Sequence, residues 1–106
     1  MPDRIKASHI LLMYAGSARS SAKRSKQEAS TEIDAIKQRV DAGEDFAALA
    51  RKHSDCPSGK SGGDLGIYGR GQMVAAFEQT AFGLPIGQVS GVVETDFGYH
   101  LIQRTG

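Results

Sequence analysis

The chain has 106 residues, 40% hydrophobic and 24% charged, and its 13 basic and 12 acidic side chains leave a formal charge of +1. Such a composition excludes global disorder, two separate cores, and a net electrostatic pull toward nucleic acid. One cysteine, Cys56, excludes an internal disulfide framework and a multi-cysteine metal cage, and no apolar run reaches the roughly 18 residues that span a bilayer.

The expectation is therefore one domain over residues 1–106, monomeric and cytoplasmic, with no membrane, nucleic-acid, metal or cofactor partner. Ile10 to Met13 is too short an apolar stretch for a signal-peptide core.

Arg4 to Met13 reads as a strand. Ile5, Ala7, His9 and Leu11 alternate onto one face, and Lys6, Ser8, Ile10 and Leu12 onto the other. The second face turns apolar at Ile10 and Leu12, which places that end in the interior of a sheet. Gly16 to Gln27 is polar and basic, a loop running into a helix start. Ala29, Ile33, Ile36 and Val40 then make one apolar helical stripe, and Gly43 stops it. Glu44 and Asp45 put negative charge at the start of a second helix, whose face is Phe46, Leu49, Ala50 and His53. His53 has a structural role at that helix's end.

Pro57 and the glycines from Gly59 to Gly71 interrupt regular structure, apart from a short strand over Leu65 to Tyr68. Gln72 to Phe82 reads as a third helix, Gly83 to Gly87 as a turn, Val89 to Glu94 as a strand, and Thr95 to Gly98 as a tight turn. Tyr99 to Thr105 is the last strand, with His100 and Ile102 on one face. The order β-α-α-β-α-β-β gives an α+β domain with a small antiparallel sheet.

Two phosphate-binding patterns fail. Gly59-Lys60-Ser61 lacks the earlier glycine of a P-loop, since Ser54 stands there, and Gly69-x-Gly71 lacks the third glycine of a dinucleotide loop. His9, His100 and Cys56 offer a donor set of the kind a catalytic zinc takes, which stands as an alternative.

Six blocks in order carry a more specific signal: Ala7-Ser8-His9-Ile10-Leu11, Ser54-Asp55-Cys56-Pro57-Ser58-Gly59, Gly62-Gly63-Asp64-Leu65-Gly66, Gly71-Gln72-Met73-Val74, Ala76-Phe77-Glu78 and Thr95-Asp96-Phe97-Gly98-Tyr99-His100-Leu101-Ile102. Together they resemble the parvulin family of peptidyl-prolyl cis/trans isomerases from Ile5 to Thr105. The resemblance implies a four-stranded antiparallel sheet flanked by helices, the FKBP-like superfold, with one helical turn more than the pattern alone shows. It also implies a cofactor-independent isomerase of X-Pro bonds in peptides or partly folded proteins. A proline-binding or chaperone module with little turnover would use a similar cleft.

By the same resemblance Leu65, Met73 and Phe77 form the proline pocket, and Met73 and Phe77 would share a face one helical turn apart. Gln72 and Phe97 join them as substrate contacts. His9 and His100 lie side by side beneath the cleft, as a brace for the sheet, a catalytic pair, or both. Cys56, Asp55 and Thr95 complete the catalytic candidates; isomerisation needs no covalent intermediate, so Cys56 is read as a polar wall. Asp55 has a second reading, as an acceptor of loop backbone hydrogen bonds. Some parvulins prefer phosphoserine or phosphothreonine before proline, and Arg19, Lys23 and Arg24 are the residues here that could bind a phosphate or an acidic side chain.

Overall fold

The computed structural model describes residues 4–17 and 22–106. Its elements run β1 (Arg4–Leu12), α1 (Lys26–Asp41), α2 (Phe46–His53), a 3-10 helix (Pro57–Ser61), β2 (Asp64–Gly69), α3 (Ala75–Gly83), β3 (Val93–Thr95) and β4 (Gly98–Arg104). The four strands form one antiparallel sheet in the order β2-β1-β4-β3. β1 and β4 are therefore central, and both faces of β1 are buried from Ala7 to Leu12. The 3-10 helix is a helical turn where the residue pattern alone reads as loop.

Local chemistry explains the boundaries. Ser25 caps α1: its side chain accepts from the Glu28 N–H, while the Glu28 carboxylate accepts from the Ser25 N–H. Asp45 caps α2 by accepting from the Ala48 N–H at 3.1 Å. Gly43 follows α1 with φ +98° and donates to the Val40 carbonyl. Two expected elements shrink. α3 begins at Ala75, with Val74 as a cap that has no side-chain bond, so Gln72 and Met73 precede the helix. The strand expected over Val89 to Glu94 pairs regularly only at Val93–Thr95; Val89 makes an isolated bridge to Gln103. Between them, Ser90 uses both its N–H (to the Ile102 carbonyl) and its hydroxyl oxygen (from the Ile102 N–H). Gly91, a poor strand residue, follows it.

The sheet has a hydrophobic cluster on each side. Ile10, Leu12 and Leu101 pack with Ala29, Ile33 and Ile36 of α1 and with Phe46, Leu49 and Ala50 of α2. Ile5, Ala7, Tyr68 and Ile102 pack with Phe77 and Ala81 of α3 on the other side. Gly63 lets the approach to β2 lie directly against β1: it has φ +83°, and a Cβ there would fall 2.3 Å from the His9 carbonyl oxygen. The two segments instead share a hydrogen bond, His9 N–H to Gly63 carbonyl, at 2.9 Å. No helix among the described residues is long and apolar enough to cross a membrane.

Candidate active site

Strand register brings the two histidines together. His9 stands opposite Ile102 and His100 opposite Leu11, so the rings are diagonal neighbours on the α3 side of the central strand pair. Their Nδ1 atoms are 3.1 Å apart, and the rings lie nearly parallel with centroids 5.3 Å apart. One of the two Nδ1 atoms must carry the shared proton. The other nitrogen of His100, Nε2, lies 2.7 Å from Thr95 Oγ1, which in turn accepts from the Phe97 N–H. His9 Nε2 is buried and has no partner among the described residues. Phe77 stands edge-on to both rings at 5.6 and 5.5 Å.

Burial removes water from both imidazoles and pushes their pKa values down, to about 4 for His9 and about 3 for His100, where the neighbouring His9 adds to the effect. Both rings are thus neutral at pH 7. They can hold one another and Thr95 in place, but neither brings a charge to the cleft.

Above the pair lies an open, mostly apolar cleft of about 510 Å³. Its lining includes His9, Cys56, Leu65, Gln72, Met73, Phe77, Phe97 and His100, eight of the residues expected there. Met73 reaches it from the turn before α3, not from the helix face that spacing implied. Phe77 is only 3% exposed and serves both cleft and core. Gln72 also fastens its own turn, its Oε1 accepting from the Gly69 N–H at 2.7 Å. Cys56 Sγ accepts from the Ser58 hydroxyl. Leu11, Met13, Pro57 and Val74 line the cleft too. Met13 and Val74 sit in connecting segments with no period to mark them, and Pro57 opens the 3-10 helix.

Other candidates stand elsewhere. Thr95 does not line the cleft and touches it through His100. The Asp55 carboxylate accepts from the Met13 N–H at 2.8 Å and pairs with Arg24. Arg24 also donates to the Met13 carbonyl and pairs with Glu32. Lys23 is exposed, and Arg19 lies outside the described residues. The zinc alternative lacks its donor set: the two Nδ1 atoms are spent on each other, and no group of three or more His, Cys, Asp or Glu among the described residues could hold a metal ion.

A model of the PPIC-type PPIase domain matches residues 1–106. The chain belongs to this family, the parvulins, and is a peptidyl-prolyl cis/trans isomerase. It is 41% identical over 115 residues to peptidyl-prolyl cis-trans isomerase Pin1 of Digitalis lanata, covering 98% of each chain. It is 42% identical to peptidyl-prolyl cis-trans isomerase ESS1 of Saccharomyces cerevisiae, covering 99% of this chain and 67% of that one. Among solved structures it is similar to peptidyl-prolyl isomerase ESS1 from Candida albicans, with a TM-score of 0.91 and 32% identity over 98% of this chain and 63% of that one.

Proposed function

We propose that the cleft accelerates X-Pro rotation without any covalent step and without requiring a phosphate before the proline. The barrier, about 18–20 kcal/mol, is the resonance of the amide. Rotation breaks that resonance and leaves a less polar, twisted amide with a basic, pyramidal nitrogen. Leu65, Met73 and Phe77 grip the ring while the preceding carbonyl swings past Cys56. Exclusion of water favours the twisted state over the planar one. A reduction of about 5–8 kcal/mol corresponds to roughly four to six decades in rate. The His9–His100–Thr95 chain holds the floor rigid, and Cys56 acts as wall.

The observation that carries this reading is the apolar cleft, open beside Met73 and Phe77. That Arg24 is not a phosphate ligand is supported by its place between Asp55 and Glu32, where it is not free to meet an anion. The substrate is a proline-containing polypeptide.

A protease-coupled rotation assay tests the proposal with a peptide panel varying only the residue before proline, including glutamate and phosphoserine members. Neutral members are expected to be turned over. Turnover of the phosphoserine member alone would overturn phosphate independence. No acceleration with any member, together with peptide-induced NMR shifts at Met73 and Phe77, would instead make the cleft a binding module.

A further inference from the structure

We propose that Arg24 and Asp55 are a pair of positioning residues that lock the mouth wall of the cleft, so that Arg24 acts on substrate through geometry and not as an anion ligand. The inference rests on the isomerase reading above.

The wall is made of two chain segments that meet beside the cleft, the end of β1 with Leu11 and Met13, and the turn carrying Cys56 and Pro57. Leu11 pairs with His100 of β4, but no strand pairing joins β1 to the turn carrying Cys56 and Pro57. The join is a set of bonds instead. The Asp55 N–H donates to the Leu11 carbonyl at 2.7 Å, the Leu11 N–H to Ser54 Oγ at 3.1 Å, and the Met13 N–H to Asp55 Oδ2 at 2.8 Å. Arg24 closes the set. One guanidinium nitrogen reaches both the Asp55 carboxylate and the Met13 carbonyl, while its Nε pairs with Glu32 of α1 at 3.1 Å.

The backbone repeats the join: the Arg24 carbonyl accepts from the Ala15 N–H at 2.8 Å, closing the base of the segment that leaves β1. Arg24 and Asp55 keep only 27% and 29% of their side chains exposed, which lets the pair act as a bracket rather than a loose surface contact. Two carboxylates on one guanidinium also leave no positive charge to spare for a substrate anion.

A wall that touches the chain flanking the proline contributes equally before and during rotation. Its loss therefore appears in KM more than in kcat. The test uses the whole chain, at a temperature where each variant is folded by circular dichroism, on one neutral and one glutamate-Pro peptide. Turnover of the neutral peptide by the unaltered protein first checks the isomerase reading by itself; its absence would remove that reading and this inference with it.

With turnover established, Arg24→Ala and Asp55→Ala are each expected to raise KM about fivefold or more on both peptides, with kcat changed less. The double variant is expected to be no worse than the poorer single one, as for a coupled pair. Asp55→Asn, whose amide oxygen still accepts from Met13, is expected to recover most of the loss. A KM rise confined to the glutamate peptide in Arg24→Ala would make Arg24 an anion ligand and overturn the proposal. An unchanged KM on both peptides, with only a lower melting temperature, would make the pair purely structural and overturn it equally. If the alanine variants do not fold, Arg24→Lys decides: it keeps the charge but cannot bridge Met13, Asp55 and Glu32 at once, and an unchanged KM there would overturn the proposal.

Discussion

The two faces of the sheet come from the same strands and differ in what covers them. On one side α1 and α2 close over Ile10, Leu12 and Leu101, leaving an apolar cluster with no histidine in it. On the other, the nine-residue α3 covers only part of the sheet, and the rest stays open above His9 and His100. The difference teaches how a small domain keeps a cleft. One face supplies most of the fold's apolar burial, so the other can hold two buried polar rings and an unfilled notch.

Cutting into the closed face breaks that comparison most sharply. Leu101 is fully buried, and Leu101→Ala is expected to cost about 2–5 kcal/mol of stability in denaturant unfolding, while the folded fraction keeps its kcat. A large drop in kcat with little loss of stability would show that the faces do not divide their labour.

Acid comes next. Each histidine is neutral in the fold, with a pKa below its ordinary value, whereas in the unfolded chain it takes up a proton near pH 6.5. The unfolded state therefore binds more protons between about pH 6.5 and the folded values near 4 and 3. The stabilisation is complete above that window and is lost as pH falls through it, by ~1.4 kcal/mol per pH unit for each ring. Thermal melts from pH 7 to 4 measure it. Replacing His9 by Leu should flatten the slope, and an unchanged slope would place the acid sensitivity elsewhere.

The smallest effect on stability is expected at the rim. Met73 is half-buried and lies in a turn, so Met73→Ala should reduce kcat/KM about tenfold while costing less than ~1.5 kcal/mol of stability. A variant that loses stability but keeps its turnover would make Met73 core rather than pocket.

Much of this division was legible in the residues. The stripe Ala29, Ile33, Ile36, Val40 and the alternation around Ile10 and Leu12 mark the closed face, because burial on one side imposes a period. The pairing of His9 with His100 came only from family resemblance, since strand register is a long-range property. The 3-10 helix at Pro57–Ser61 was hidden by a Ser/Gly composition that reads as loop. Spacing alone puts Met73 on α3 because nothing before Ala75 signals the helix start: Val74 caps it without a side-chain bond. Asp55 and Arg24, 31 residues apart in the chain, gave no sign that they would meet.

The placement of the histidines on β1 and β4 has a consequence for redesign. The base of the notch belongs to the hydrogen-bonded middle of the sheet, whereas Met13, Cys56, Gln72, Met73 and Phe97 belong to connecting segments. Such segments tolerate exchange far better than central strands do. Transplanting those connections would therefore reshape the rim of the notch while leaving its foundation in the sheet unaltered.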